Sequence, residues 1–228
     1  KMKISILLPY KENFSPEYPG AVSLFVYETT KISKFRNNIY VFGNTNYKKI
    51  FKLRYKNINT KKELFYSQTK NYVKDFVKLE KNNNSSIIEV HNRPSYIHII
   101  NESLNNKVLT LYFHNDPLSM DGSKTIEQRK KLLKVCYKII FNSAWSKKRF
   151  LEGLENKFIN SNKLVIFYQS AQKGSLSLLK NKKKWITFVG KLNKAKGYDI
   201  FVKSIKKILD KYKNWRAIVI GDEKRERI

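Results

Sequence analysis

Only one cysteine, Cys136, stands in 228 residues. An internal disulfide is therefore excluded, and so is a cysteine-based metal framework. Long apolar runs are also missing: none approaches the roughly 20 residues needed to span a bilayer. The opening stretch Lys1-Met2-Lys3-Ile4-Ser5-Ile6-Leu7-Leu8-Pro9 lacks the longer apolar core and small-residue cleavage site of a secretory leader, so it reads as a first β-strand. Together these absences make the cytoplasm the simplest compartment. Acids are scarce: 18 Asp and Glu stand against 47 Lys and Arg, a formal charge of +29. Such a balance suits nucleic acid, an anionic membrane face or an acidic substrate. Lysine, asparagine and isoleucine are all heavily used, however, as an AT-rich coding bias would produce, so local placement must decide. The common phosphate-loop signatures, the Walker A loop and G-x-G-x-x-G, are absent as well.

What is present is an alternation of apolar strands and amphipathic helices. The strands expected are Ile4–Leu8, Ile39–Phe42, Ile87–Val90, Lys107–Tyr112, Lys138–Phe141, Leu164–Phe167, Ile186–Val189 and Ala217–Ile220. The helices expected are Ala21–Lys34, Lys61–Leu79, Tyr96–Leu104, Lys124–Val135 and Ala144–Leu151, with a further one carrying Ile200, Phe201, Ile205, Ile208, Leu209 and Tyr212 on one face. Phe51–Ile58 alternates imperfectly and reads as an extra strand or hairpin arm. The pattern predicts an α/β fold with a Rossmann-like, mostly parallel sheet covered on both faces. Residues 169–184, "QSAQKGSLSLLKNKKK", are polar and ambiguous in period. They are expected to connect a first domain, 1–168, to a single βαβ unit, 185–228, which is too small to cover its own sheet.

One stretch carries the sharpest chemistry. In "VGKLNKAKG" a strand runs into a glycine, three lysines and a glycine, and a helix follows. Cations at a helix start oppose the positive end of the helix dipole, unless an anion sits there. Gly190 would let backbone come close to a diphosphate, with Lys191 and Lys196 neutralising it. A solvated turn in a lysine-rich chain is the plainer alternative. Among the histidines, His114 precedes the turn Asn115-Asp116-Pro117, His91 closes a strand, and His98 falls on a helix beside Ile97, Ile99 and Ile100. Asp116 either orients a neighbour or starts the turn. Glu12 and Glu17 are expected to be solvated. Arg129-Lys130-Lys131 and Lys147-Lys148-Arg149 read as exposed helix faces, or as contacts to anionic headgroups worth about 1 kcal/mol per basic residue.

The run "ITFVGKLNKAKGYDIFVKSIKKILDKYKNWRAIVIGDE" resembles the opening of the C-terminal domain of glycosyltransferase family 4, which has the GT-B fold. Lys191 stands where that family usually has arginine, and Lys196 matches the family lysine. The segment "ISILLPYKENFSPEYPGAVSLFVYETTKISKF" resembles the family's first strand, acceptor-side loop and first helix, with Pro19-Gly20 in place of the usual Gly-Gly pair. "IIEVHNRPSY", "VLTLYFHNDP" and "YKIIFNSAWSKKRFLEGL" resemble later strand ends in family order. The resemblance implies a GT-B N-terminal domain followed by an incomplete second Rossmann-like domain. It implies a hexosyl transfer, with retention, from a nucleoside-diphosphate sugar to a hydroxyl in cell-surface glycan or lipopolysaccharide synthesis. Donor and acceptor would meet in a cleft between domains. Gly20, Gly190, Lys191 and Lys196 would bind the donor diphosphate. His114 would lie beside the reacting sugar, with His91, Asn115, Asn142 and Ser143 around the acceptor side, although Ser143 also suits a helix cap. No cofactor and no metal is implied.

The family's pair of glutamates, well into the C-terminal domain, has no counterpart here, because Asp222, Glu223 and Glu226 follow too closely on the last strand. The expectation is an incomplete enzyme, inactive alone, acting on a glycan or lipid-linked acceptor in the cytoplasm, with peripheral contact at the inner membrane face. A non-catalytic glycan- or partner-binding remnant is the alternative. A nucleic-acid binder is disfavoured, since the lysines spread over every segment and the aromatics fall in core-like patterns.

Overall fold

The structure is a computed structural model and describes residues 2–61, 67–170 and 182–222. The chain divides into two compact units, Lys1–Gln172 and Lys173–Ile228. Of the sequence expectations, residues 62–66 of one helix, residues 171–181 of the connection, and Glu223 and Glu226 lie outside the described residues.

The first unit is built on a seven-stranded parallel sheet. Its strands are β1 (Ile4–Leu7), β2 (Ile39–Gly43), β3 (Tyr55–Asn57), β4 (Ile87–His91), β5 (Val108–Phe113), β6 (Lys138–Phe141) and β7 (Leu164–Ile166). They lie in the order β3-β2-β1-β4-β5-β6-β7, so the winding reverses between β1 and β4. Such a switch point opens a crevice at the carboxyl ends of the strands. Tyr55–Asn57 pairs parallel to β2, so it is an edge strand and not a hairpin arm.

Strand alternation sorts the residues into two layers. Leu7, Phe42, Ile88, Val90, Leu109, Leu111, Phe113, Ile139 and Phe141 face one side. There they meet α2 (Gln68–Asn83), α3 (Pro94–Ser103), α4 (Ile126–Val135) and α5 (Ala144–Leu151) through Tyr72, Phe76, Tyr96, Ile97, Leu132 and Phe150. Ile6, Leu8, Ile39 and Val41 face the other side, against Val22 and Val26 of α1 (Ala21–Ile32). Truncating one of the large buried aromatics, such as Phe76 or Phe113, should cost about 3–5 kcal/mol.

The same alternation turns Glu89 and His91 of β4, and Tyr112 of β5, toward the α1 side. A fully buried parallel strand normally reads as continuous apolar sequence. The acid and the histidine in "IIEVH" break that rule on one face only.

Arg129 is not on an exposed helix face. It is 3% exposed and donates to the Phe150 and Glu152 carbonyls at 2.5 and 2.6 Å, closing the end of α5. A buried guanidinium is tolerated because carbonyl acceptors replace its water. It is therefore unavailable to headgroups.

The second unit is a parallel pair, β8 (Trp185–Val189) and β9 (Arg216–Ile220), joined by α6 (Tyr198–Lys211). Phe188 packs on Tyr198 and Phe201, and Ile205 is the buried centre of α6. Gly221 is dictated by packing: a Cβ there would fall 1.8 Å from the Gly190 carbonyl oxygen. Among the described residues, no helix is long and apolar enough to cross a membrane.

Candidate functional site

In the first unit the side chains of interest gather where β4, β5 and β6 end. His91 is the last residue of β4 and pairs in register with Tyr112. His114 sits just past β5, and its backbone is held from both neighbouring strand ends. Its amide donates to Asn92 Oδ1 at 3.2 Å, and its carbonyl accepts from Asn142 Nδ2 at 2.7 Å. Asn92 takes the left-handed conformation at φ 56°, which asparagine tolerates better than most residues. Asn142 is itself fixed, since its Oδ1 accepts from the Ser146 hydroxyl at 3.0 Å.

The side chains form one hydrogen-bonded line. Glu89 Oε1 lies 2.6 Å from His91 Nε2, His91 Nδ1 lies 2.8 Å from His114 Nε2, and His114 Nδ1 lies 2.6 Å from Gln169 Nε2. Tyr112 stacks on both imidazoles, at 5.4 Å from His91 and 4.6 Å from His114, while Phe25 meets His114 edge-on. His91 is fully buried. Burial, followed by the neighbouring His91, pulls the His114 pKa down to about 3. His114 is thus a neutral ring at ordinary pH, suited to hydrogen bonding rather than to charge compensation. Burial raises the Tyr112 phenol, with Glu89 adding to it, and that hydroxyl donates to the Phe167 carbonyl at 2.9 Å.

The remaining expected residues occupy the rim. Asn115 is exposed. Asp116 does both things considered for it: Oδ1 accepts from the Leu118 amide to start the turn, and the carboxylate pairs with Arg149 at 3.2 Å. Ser143 is the N-cap of α5, accepting from the Ser146 amide at 3.1 Å. His98 is partly buried on α3, its pKa lowered by burial and then by Lys131.

Glu12 is not solvated. Its Oε1 accepts from the Val22 and Ser23 amides, both at 3.0 Å, at the first turn of α1. The carboxylate lies so close to Gly20 that a Cβ there would fall 1.9 Å from Oε1. Gly20 therefore makes room for an anion at a helix N-terminus, and in this structure the anion is the chain's own. Glu17 is exposed, as expected, and approaches Lys49 at 3.6 Å.

In the second unit Gly190 follows β8, and its amide donates to the Ile220 carbonyl at 3.0 Å. Asn193 Oδ1 accepts from the Lys196 amide at 3.1 Å and closes a short turn over Lys194–Lys196. Gly197, at φ 72°, then starts α6. Lys191, Lys194 and Lys196 are all exposed, and none forms an ion pair among the described residues. Asp199 in the first turn of α6 is the acid nearest in sequence.

Sequence reading missed Glu89, Asn92 and Gln169, and misplaced Glu12. For Glu89 a signal existed: an acid two residues before a histidine in a buried strand shares its face. For Gln169 none did, because it lies in the segment read as a connection. Among the described residues no group of three or more His, Cys, Asp and Glu converges as a metal site.

The family model described as glycosyl transferases group 1 matches residues 173–228, the unit that carries the lysine turn. No curated protein matches the chain significantly. Among solved structures, HepE of Anabaena, crystallised with UDP and glucose, superimposes with a TM-score of 0.68 at 16% identity over 97% of this chain and 61% of its own. The apo form of the lipopolysaccharide outer core galactosyltransferase WaaB gives a TM-score of 0.59 at 13% identity, covering 98% of this chain and 62% of its own. A UDP-N-acetylglucosamine 2-epimerase gives 0.53 at 12%, covering 95% and 63%. The chain thus spans about three fifths of the length of these structures. At such identities the likeness is one of fold, the Rossmann-like α/β architecture of GT-B glycosyltransferases.

Proposed function

We propose that this chain belongs to a glycosyltransferase of family 4 type, which moves a hexosyl group from a nucleoside-diphosphate sugar to an acceptor hydroxyl with retention. The observation that carries the reading is the exposed lysine turn, Lys191 to Lys196, on the unit that matches the glycosyl transferases group 1 model. The fold alone also hosts a UDP-sugar epimerase, so the argument rests on the turn and the family match.

In this reading Lys191 and Lys196 oppose the charge that grows on the departing diphosphate, beside the start of α6. Charge stabilisation of that kind is a large contribution to such chemistry. Lysine in place of arginine at 191 keeps the charge and loses the two-pronged grip. Neutral His114, with Asn115 and Asn142 near it, serves the sugar side. Gly20 belongs to the donor side only when Glu12 leaves the α1 terminus. A lipid-linked or lipopolysaccharide-type glycan is the acceptor proposed, at the cytoplasmic face of a membrane that basic surfaces such as Lys148 approach. Failure of the chain to float with anionic vesicles at low salt would remove the membrane part.

The donor part is tested by titrating UDP-glucose and UDP into the full chain. Both should bind, and Lys196→Ala should weaken both by about tenfold, or about 1.4 kcal/mol. Equal affinity in wild type and variant would remove the lysine turn from the donor site.

A further inference from the structure

The line Glu89–His91–His114–Gln169 has two ways of placing its protons, and its ends decide between them. An imidazole that is neutral donates from one nitrogen and accepts at the other, so each ring passes on the direction it receives. Gln169 cannot choose. Its amide offers a donor on one side and an acceptor on the other, and a half-turn exchanges them. Glu89 can choose, because an ionised carboxylate only accepts. Its partner His91 Nε2, 2.6 Å away, must then carry the proton. His91 Nδ1 is left as an acceptor, so the proton between the rings belongs to His114 Nε2, across 2.8 Å. That leaves His114 Nδ1 without a proton, facing the Gln169 amide nitrogen at 2.6 Å, which donates to it. Every contact in the line is satisfied in this direction. In the reverse direction a bare His91 nitrogen would face the carboxylate.

The members of the line differ in access: His91 is fully buried, Glu89 is partly buried, and Gln169 is exposed. Of the two ring nitrogens of His114, only Nδ1 faces a group that a ligand can displace. Stacking on Tyr112 and the two backbone clamps at Asn92 and Asn142 hold the ring in place while that exchange occurs.

We infer that Glu89 is a positioning residue that fixes the tautomer of His114 through His91, so that His114 offers a bare Nδ1 to a ligand hydroxyl that takes the place of Gln169. A hydroxyl can donate to that lone pair, whereas a phosphate or carboxylate oxygen would meet it with lone pairs of its own. The rim of the first unit is thereby selective for the hydroxyl-bearing part of a ligand. The identification of that part as sugar rests on the transferase reading. The tautomer itself does not.

Long-range proton–nitrogen correlation on the nitrogen-15-labelled full chain reads the tautomers directly. With three histidines, assignment needs only single-residue variants such as His98→Asn. In the wild type at neutral pH, both His91 and His114 should show a protonated Nε2 and a pyridine-type Nδ1. Glu89→Gln should preserve this, since its amide oxygen still accepts. Glu89→Leu should shift His114 Nδ1 toward the pyrrole-type, protonated position. Gln169→Ala should leave the tautomer unchanged. A protonated Nδ1 on His114 in the wild type would overturn the inference without recourse to any variant. So would an unshifted ring in Glu89→Leu, or a reversed one in Gln169→Ala. Nucleotide binding plays no part in these readings, so failure of the transferase reading and failure of this one are distinguishable.

Discussion

Helix α1 and helix α6 both begin at a glycine, Gly20 and Gly197. Their surroundings are opposite. At α1 the positive end of the helix meets the chain's own carboxylate, with Glu12 holding the Val22 and Ser23 amides. At α6 it meets Lys191, Lys194 and Lys196, with no ion pair to any of them among the described residues. Anions stabilise such a terminus and cations destabilise it, each by about 0.3–1 kcal/mol at the surface. One site is therefore filled and contributes to stability. The other gathers three exposed lysines, with Asp199 the acid in the first turn of α6, and under the proposed function a diphosphate would offset their charge. The two glycines answer to different needs: Gly20 makes room for the Glu12 carboxylate, whereas Gly197 takes a left-handed φ of 72° with nothing close to it.

The comparison breaks most visibly at the glycines themselves. Gly20→Ala places a Cβ 1.9 Å from Glu12 Oε1, so the carboxylate must leave its two amides. Lost capping and forced displacement together should cost about 2–3 kcal/mol in denaturant unfolding. In a Glu12→Ala background the same change should cost much less, since the obstacle is gone. Gly197→Ala meets no atom within 4 Å and pays only for its φ of 72°. About 1–2 kcal/mol is expected there, with no dependence on Glu12. Equal, additive losses at both glycines would erase the distinction between the two helix starts.

Protons should reach the first unit through His114 and leave the lysine turn indifferent. His114 stays neutral in the fold down to about pH 3, because burial opposes its charge. The unfolded chain takes up that proton near the ordinary value of about 6.5. Between these values the unfolded state binds more protons, so stability is complete above about pH 6.5 and falls as the pH drops toward 3. The slope is at most about 1.4 kcal/mol per pH unit. His98, also lowered, acts with the same sign, so the measurement belongs in a His98→Asn background. Amide signals of the first unit should lose stability over this range. A flat profile there would mean that His114 accepts its proton inside the fold.

Much of this architecture is legible from periodicity. Seven of the eight expected strands lie within one or two residues of where they form, and the eighth, Lys138–Phe141, has identical ends. Apolar alternation and βα spacing are local, and the sheet reads them out directly. His114 and Asn142 were named as candidates because the segments that hold them resemble family strand ends. Their partnership was not legible, since the contact between Asn142 Nδ2 and the His114 carbonyl depends on strand order. Glu12 was misread for a similar reason. An acid in a polar loop is usually solvated, and only the fold of the Tyr10–Gly20 segment carries it to the start of α1. Arg129 shows the reverse case: a basic run looks exposed until α5 brings two carbonyls to one of its members.

The smallest expected effect is the most discriminating one. If the lysines at α6 serve an absent anion, removing them should not harm the folded chain. Lys191→Ala with Lys196→Ala should leave stability unchanged or raise it by about 0.3–1 kcal/mol, as repulsion with the helix terminus is relieved. The same pair should lose UDP affinity by more than either single change, and the residual binding should depend less steeply on salt. A cation that supported the fold would instead lower stability on removal, with no link to nucleotide. The sign of a change below 1 kcal/mol therefore separates a binding turn from a structural one, provided stability and UDP affinity are measured on the same preparation.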